Sequence, residues 1–307
     1  MIRASVGSCT HVGQLRDGNE DSFVAEDGLY FVADGMGGHS AGEVASAIAV
    51  KTLADLHRSA ERGLTNEDQV ADAVSTANLA IFMEAIEDPG KAGMGTTLTG
   101  LVVTEPVAHR VVVANVGDSR TYLWRHGELR QVTKDHSHVQ SLVDRGAITR
   151  AEARVHFQRN IVLRAMGIES HVDVDTFPLE VEDGDRFIMC SDGLVDEAAD
   201  EEIEAEIRLS NGIQDLADRL VDLANRNGGR DNITVVVVDF EIVDAPTMAE
   251  PTDAEPFVVC TLPTNEGGPW SVSTPSAPSA WLTVGSWSMF LLSAAIAITV
   301  VVSAISS

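Results

Sequence analysis

Residues 30–43 read YFVADGMGGHSAGE, where an apolar run stops at Asp34 and a glycine-rich loop leads to Ser40 and Glu43. The S-x-x-E spacing of Ser40 and Glu43 is that of a helix capping box. The stretch therefore predicts a buried strand, a tight loop and a helix in direct succession. The loop has no P-loop lysine, and Ser40 stands where a dinucleotide fingerprint needs its last glycine. Asp34 would repel a bare phosphate, so a phosphate held here requires a cation between the two.

The segments that flank this stretch alternate apolar runs with turn sequences. Glu26-Asp27-Gly28 separates two apolar runs and predicts a β-hairpin. Residues 96–133 resemble a meander of strands, with turns at Glu105-Pro106 and His126-Gly127. Further strands are predicted near 181–193 and 232–243. Because parallel strands need long crossovers, these short connections predict antiparallel pairing.

Helices are predicted between these strands. The first follows Ser40, the second is capped by Thr65 and Asp68, and the third lies near 213–226. One face of the first helix is expected to carry Ala45, Ile48, Ala49, Thr52 and Leu56, and one face of the second Val70, Val74, Ala77 and Ile81. Helices that cover antiparallel sheets give an α+β layered fold.

Composition limits the possible functions. The chain of 307 residues has a formal net charge of −26, which disfavours a nucleic-acid-binding protein because such proteins need a basic face. Its three cysteines, Cys9, Cys190 and Cys260, form no CxxC pair, so neither a disulfide scaffold nor a zinc site is indicated. A reducing compartment fits this usage. The first residues lack the apolar core of a signal peptide, so the folded domain is expected in the cytoplasm.

The chain changes character after residue 242. We expect a folded domain over 1–242 and a disordered linker over 243–281, which is rich in Pro, Ser, Thr and acidic residues. Residues 282–305 are uncharged and long enough for a transmembrane helix, which predicts a single-pass anchor in the cell membrane. The alternative is a buried apolar segment. No Lys or Arg follows Arg230, so the positive-inside rule gives no orientation.

Acidic residues adjoin several of the apolar runs. Asp34, Asp118 and Asp192 follow such runs, and Asp231 precedes one. A group of oxygen ligands favours Mg²⁺ or Mn²⁺ over zinc. Carboxylates from separate loops can hold two ions about 4 Å apart, and such ions activate water and neutralise phosphoryl groups. The alternative for any single Asp-Gly pair is an ordinary turn.

A second polar cluster lies near the N-terminus. Residues 16–22 read RDGNEDS and supply Arg16, Glu20 and Asp21. Arg16 could bind phosphate oxygens in a bidentate manner.

The order of these motifs resembles a known family. The motifs are RDGNED (16–21), YFVADGMGGHSAGEVAS (30–46), MGTTLTGLVV (94–103), VANVGDSRTYLWRHGELRQVTKDHS (113–137), CSDGLVD (190–196) and GGRDNITVVVV (228–238). Over residues 5–242 the chain resembles the metal-dependent protein phosphatases of the 2C type, the PPM family. It is most similar to bacterial membrane-tethered serine/threonine phosphatases that oppose transmembrane kinases.

This resemblance implies a fold and a metal site. The fold is a sandwich of two antiparallel β-sheets flanked by α-helices. Asp34 would bridge two Mn²⁺ or Mg²⁺ ions, and the Gly35 carbonyl would be a further ligand. Asp192 and Asp231 would complete one metal site, and Glu20 would hold the second ion through water. Asp118 would help to bind a third ion, and Asp21 would support the site. Arg16 would bind the substrate phosphate.

The resemblance also implies a reaction. Water that bridges the two ions would attack phosphoserine or phosphothreonine in a protein directly, without a phosphoenzyme. Met36 stands where animal members carry a histidine proposed as the general acid, and His39 is the nearby candidate. No C-x₅-R nucleophile loop occurs at any cysteine, which argues against a cysteine phosphatase. The alternatives are a phosphatase specific for one regulatory switch protein and a non-catalytic, membrane-tethered phosphoprotein-binding protein.

Residues 134–166 reverse the charge balance of the chain. Their cations are Lys134, Arg145, Arg150, Arg154, Arg159 and Arg164. The family has a mobile flap here, beside the catalytic cleft. We hypothesise that these cations steer phosphorylated segments towards an otherwise acidic surface. The alternative is a solvated helix face with local ion pairs.

Overall fold

The computed structural model describes residues 1–26, 28–37 and 41–243. The strands are β1 (Ile2–His11), β2 (Asp21–Glu26), β3 (Leu29–Met36), β4 (Gly95–Thr96), β5 (Leu98–Glu105), β6 (Arg110–Val116), β7 (Arg120–Arg125), β8 (Glu128–Gln131), β9 (Asp175–Glu180), β10 (Arg186–Cys190) and β11 (Ile233–Ile242). The helices are α1 (Ala41–Ser59), α2 (Glu67–Glu87), α3 (His138–Asp144), α4 (Arg150–Arg154), α5 (Asp192–Val195), α6 (Asp200–Leu209) and α7 (Ile213–Asn227), with a short 3₁₀ turn at Pro89–Lys91.

The strands form two antiparallel sheets. In the described part of the chain the first sheet has the order β1-β11-β10-β7-β8, and the second has the order β2-β3-β5-β6-β9 with β4 paired to β3. The predicted α+β sandwich is therefore confirmed. Pro178 lies in β9, the edge strand of the second sheet, which pairs with β6 on one side only. Proline has no N–H, and an edge strand tolerates it because no further strand needs that donor on the outer side.

Three apolar layers hold the sandwich together. Side chains between the two sheets include Phe187 and Phe240, whose rings meet edge to face at 5.7 Å. A second layer lies between the second sheet and helices α1 and α2, and a third packs the first sheet against α5, α6 and α7. Strands β3 and β11 are covered on both faces, which explains why their sequences are almost continuously apolar.

Several local predictions are confirmed. Strands β2 and β3 form the predicted hairpin, with Glu26 opposite Leu29. The predicted apolar face of α2 is buried, and α7 lies where the third helix was expected. The cap of α2 is one residue later than predicted, because the side chain of Asn66 accepts from the N–H of Gln69 at 2.9 Å. On α1, Leu53 is fully buried and Thr52 is only partly so.

The predicted meander over 96–133 is wrong in its connectivity. Strands β5 and β6 belong to the second sheet, whereas β7 and β8 belong to the first. The chain crosses between the sheets at 117–119, where Gly117 has a φ of +108° that few other residues adopt. A Cβ at Gly117 would also lie 2.6 Å from the side chain of Thr97. The crossover leaves Asp118 between the sheets.

Some predictions fall on residues outside the described ranges. These are the capping role of Ser40, the candidate acid His39, most of the 243–281 linker and the 282–305 transmembrane helix. None of the helices within the described ranges has both the length and the apolarity that a bilayer-crossing helix requires. The division of the chain at residue 242 stays a prediction.

Candidate active site

Carboxylates from several parts of the fold converge on Asp34. Asp21 at the start of β2 lies opposite Asp34 at the end of β3 in the strand register. Asp192 begins α5 directly after β10, and Asp118 comes from the crossover between the sheets. Burial raises the pKa of Asp34 well above its usual range, and the nearby charges of Asp192, Asp21, Asp118 and Asp231 raise it further.

The neighbouring acids show the same effect. Burial raises the pKa of Asp21 to about 6 despite hydrogen bonds from Thr234 and Ser191. Burial and the charge of Asp135 raise the pKa of Asp118 to about 7. The pKa of Asp192 is raised by burial and then by Asp118, Asp196 and Asp231. Carboxylates whose charges disfavour one another in this way suit a bound cation.

Two buried carboxylate oxygens of this site are left without hydrogen-bond donors. Among the described residues, neither Oδ1 of Asp21 nor Oδ1 of Asp192 has a partner. The other oxygen of Asp21 accepts from the Ser191 hydroxyl at 2.8 Å. An unpaired buried oxygen is costly, so these atoms fit a site that is completed by a cation.

The backbone of Asp34 is fixed by the strand beside it. Its N–H donates to Oγ1 of Thr97 at 3.1 Å, and its carbonyl accepts from Oγ1 of Thr96 at 2.9 Å. The Thr97 hydroxyl also contacts Oγ of Ser119 at 2.7 Å, next to Asp118. The hydroxyls thus connect the backbone of β3 to the crossover loop and hold two of the acids in register.

Gly35 lies at a close crossing of three segments. A Cβ at this position would come within 2.2 Å of the Gly42 carbonyl oxygen and within 2.5 Å of the Glu20 carbonyl oxygen. The N–H of Gly35 donates to that Glu20 carbonyl at 3.2 Å. Only glycine allows β3, the start of α1 and the Glu20 loop to approach in this way.

Arg16 and Glu20 lie on a loop that is held against Asp231. Nη2 of Arg16 donates to Oδ2 of Asp231 at 2.6 Å, while nearly half of the arginine side chain stays exposed. Asn232 accepts from the N–H of Glu20 at 2.8 Å and donates to the carbonyls of Val12 and Gly18, both at 2.9 Å. This buried side chain therefore places the whole loop relative to the acids.

A buried acid also ties the Asp192 segment to the Asp231 segment. Glu197 follows α5, and its Oε1 accepts from Nε of Arg230 at 2.6 Å and from the Arg230 N–H at 3.1 Å. Asn227 donates to the Glu197 carbonyl at 3.1 Å. Both neighbours of Asp231 are thus anchored, Arg230 by Glu197 and Asn232 by the carbonyls of Val12 and Gly18.

An open cleft lies beside Asp118 and Asp192 and is lined in part by α3 and α4. Asp118 and Asp192 lie at the buried side of the cleft. Most cations of the 134–166 segment are already paired. Lys134 bonds Asp144 at 2.6 Å, Arg159 bonds Asp196 at 3.2 Å, Arg164 bonds Asp175 at 2.6 Å, and Arg145 bonds the Ser141 carbonyl at 2.9 Å.

The donor set suits a hard divalent cation. In 1–26, 28–37 and 41–243, no three His, Cys, Asp or Glu side chains are drawn close enough together to hold an ion by themselves. Mg²⁺ sites commonly use one or two carboxylates with several waters, so such a closed cage is not required. The unpaired oxygens of Asp21 and Asp192 and the mutual repulsion around Asp34 fit this kind of site.

Sequence reasoning identified most of the residues at this centre. The structure brings together Arg16, Glu20, Asp21, Asp34, Gly35, Asp118, Asp192 and Asp231. Their roles as ligands stay predictions, and His39 lies outside the described ranges. Thr96, Thr97, Asn232 and Glu197 also contribute to the site, although sequence patterns assign them no role. The first three lie within the quoted motifs and Glu197 directly follows one, but their function depends on partners far away in the chain.

The family model and the similar proteins all indicate the same family. A family model described as protein phosphatase 2C matches residues 8–234. The chain is 43% identical over 228 residues to the serine/threonine protein phosphatase PstP of Mycobacterium tuberculosis, a match that covers 74% of this chain. The match covers only 43% of that relative, so the chain spans less than half of its length. Serine/threonine phosphatase stp of Listeria monocytogenes is 39% identical over 241 residues, covering 76% of this chain and 94% of that protein.

A solved structure shows the same architecture. The catalytic domain of PstP, crystallised in complex with two manganese ions, superposes with a TM-score of 0.71 at 38% identity. The match covers 79% of this chain and all of that chain.

Proposed function

Because the chain belongs to the protein phosphatase 2C family, we propose that it is a metal-dependent phosphatase of phosphoserine and phosphothreonine in proteins. The observation that carries the proposal is the group of mutually repelling carboxylates around Asp34, beside a partly exposed Arg16. Two relatives named as serine/threonine phosphatases and one structure with manganese bound support it.

The proposed metal ligands come from five segments. Asp34 and the Gly35 carbonyl would hold Mn²⁺ or Mg²⁺ together with Asp192 and Asp231, and Glu20 would act through water. Asp118 would take part in a third site, and Asp21 would support Asp34 from the adjacent strand. When bound, such ions supply the positive charge that a phosphoryl group needs, and they acidify water at the site.

The protein's own side chains orient the substrate. Asp231 holds one end of the Arg16 guanidinium, which leaves further N–H groups free to bind phosphate oxygens. Burial beside Asp218 raises the pKa of the Cys9 thiol to about 11, and burial raises that of Cys190 to about 12. Neither cysteine is a thiolate nucleophile at neutral pH, which supports direct attack by water. Met36 cannot donate a proton, and we propose His39 as the acid for the leaving alkoxide.

Metal-dependent turnover is the direct test of this function. The purified protein should hydrolyse p-nitrophenyl phosphate and phosphothreonine peptides with Mn²⁺, lose activity with a chelator and regain it when Mn²⁺ is restored. Folded protein without such turnover would instead indicate the non-catalytic phosphoprotein-binding protein. A panel of phosphopeptides separates broad specificity from a single regulatory substrate.

Arg16→Gln tests the phosphate-binding role. We expect kcat/KM for a phosphopeptide to fall by about 10²-fold, mainly through KM, because a charged donor to the phosphate is lost. The free energy of unfolding should change little, since the side chain is half exposed. The control is Arg3→Gln, which removes an exposed ion pair to Glu241. Equal kinetics of the two variants would contradict the role.

The cellular setting is proposed from the sequence. Phosphorylated proteins, including serine/threonine kinases and their targets, would be the substrates. Residues 282–305 would anchor the chain in the cell membrane, with the catalytic domain on the cytoplasmic side. The full chain should sediment with membranes and resist salt extraction, whereas a chain that ends at Asp244 should stay in the supernatant. The same distribution for both chains would contradict an anchor.

A further inference from the structure

Two arginines of the cleft have no partner of their own in the part of the chain that the structure describes. Arg150 and Arg154 both line the cleft that contains Asp118 and Asp192. Among the described residues neither has a hydrogen bond or an ion pair, although Arg150 contributes a long-range charge to Asp144. Asp144 itself is bonded to Lys134. The pairing of the other cations in this segment leaves these two available to a ligand.

The spacing of the two arginines places them together. They are the first and last residues of α4, four positions apart, so they project from the same side of the helix. A capping box fixes the start of α4, since Thr149 and Glu152 exchange side-chain and backbone hydrogen bonds. The two guanidinium groups therefore reach the cleft from a helix whose first turn is held by hydrogen bonds.

The cleft is divided by charge. Its deep side holds Asp118, which is 8% exposed, and Asp192, whereas Arg150 and Arg154 are exposed on the outer side. The remaining acids of the lining are neutralised or hydrogen-bonded, because Asp135 bonds Arg120, Asp196 bonds Arg159, and Asp200 accepts from Tyr122. Val139, Val143 and Ala153 are the apolar residues of α3 and α4 in the lining of the cleft.

We propose that Arg150 and Arg154 form a subsite that binds an acidic side chain of the substrate, close in sequence to the phosphorylated residue. The inference rests on the proposed function, in which Asp118 and Asp192, two of the proposed metal ligands, line the same cleft as the two arginines. A carboxylate on the flanking chain then meets the two guanidinium groups in charge-assisted hydrogen bonds.

This subsite explains how a chain with a net charge of −26 can accept an acidic peptide. The bulk of the surface repels such a peptide, so productive binding requires local cations next to the phosphate site. Local binding differs from long-range steering, because it depends on the position of the acidic residue within the peptide.

A position scan separates these two modes. Phosphothreonine peptides carry one glutamate at successive flanking positions, with glutamine at the others. For the unaltered protein, kcat/KM should rise about tenfold for one or two positions only, mainly through KM. In R150Q/R154Q the ratio between the preferred glutamate peptide and the all-glutamine peptide should fall to near one. In R150E/R154E a lysine at the preferred position should replace glutamate as the better residue.

Arg145→Gln is the matched control, because Arg145 bonds back to Ser141 and does not line the cleft. It should keep the full preference for glutamate. Equal kcat/KM for all positions in the unaltered protein, or an equal loss for glutamate and glutamine peptides in R150Q/R154Q, would overturn the subsite.

A binding measurement tests the subsite separately from the proposed catalytic function. Fluorescence anisotropy of the same labelled peptides is read in the presence of Mn²⁺ and needs no turnover. A glutamate preference that depends on Arg150 and Arg154, without hydrolysis of any substrate, would support the subsite and reject the phosphatase. Normal hydrolysis with no position-dependent preference in binding would reject the subsite alone.

Discussion

Asp34→Asn should lower kcat for a phosphopeptide by about 10³-fold, on the order of 4 kcal/mol of transition-state stabilisation. Asp34 lies at the centre of the carboxylate group and is the proposed bridge between ions. An amide keeps the shape of the side chain but removes the charge that attracts the metal. Initial rates on a phosphothreonine peptide and on p-nitrophenyl phosphate, over a range of Mn²⁺ concentrations, provide the measurement.

The same substitution should stabilise the metal-free protein. The charge of Asp34 is destabilised by burial and by Asp192, Asp21, Asp118 and Asp231, and its removal relieves that repulsion. We expect the free energy of unfolding in chelator to rise by about 0.5–2 kcal/mol, with a smaller increase of Tm on adding Mn²⁺ than in the unaltered protein. Asp173→Asn, at a site 80% exposed, is the control and should change neither quantity. An active variant, or one that is less stable in chelator, would contradict the central role of Asp34.

Asp135→Ala should destabilise the fold by about 3–5 kcal/mol, because it leaves Arg120 without its buried partner. Both carboxylate oxygens of Asp135 accept from Arg120, at 2.7–3.0 Å, and Gln131 donates to the same carboxylate at 2.7 Å. The side chain of Asp135 is only 7% exposed. Urea unfolding in chelator, with the slope of the transition compared between variants, measures the loss.

Asp144→Ala is the matched control for this prediction. Asp144 also bonds a cation, Lys134 at 2.6 Å, but its side chain is 38% exposed. Such a pair contributes about 0–1 kcal/mol, since water solvates both charges when the bond is absent. Similar destabilisation by the two substitutions would show that burial is not what makes the Arg120–Asp135 pair important.

In residues 134–166, the charge of the side chains alone does not predict which of them are free to bind a ligand. Counting cations over 134–166 predicted a basic surface made of six residues. The structure shows that Lys134, Arg145, Arg159 and Arg164 are engaged with neighbouring groups. Arg150 and Arg154 line the cleft and have no partner within 1–26, 28–37 and 41–243. Which cations are free depends on the distances between side chains, and sequence spacing does not determine those distances.

Local patterns were sufficient for the elements themselves. The apolar run that ends at Asp34, the hairpin at 26–28 and the 3.6-residue period of α2 and α7 all specify structure within a few residues of chain. Hydrophobic periodicity determines which face of an element is buried, because burying that face is the main favourable contribution to folding. The motifs at 16–21, 30–46 and 228–238 likewise contain several of the acids at the centre, and their sequence is enough to identify them.

How those elements are combined depends on contacts between distant segments. The tertiary structure assigned β6 and β7 to different sheets, and it placed Asn232 where it hydrogen-bonds the loop of Arg16 and Glu20 some 200 positions away. It also linked Glu197 to Arg230 and left the Oδ1 atoms of Asp21 and Asp192 unpaired among the described residues. Local sequence patterns were enough to predict which segments form strands, helices and acidic loops, since these are short-range properties of the chain. The relative positions of those loops, and hence the charge deficit that a metal would fill, arise only when distant segments pack together.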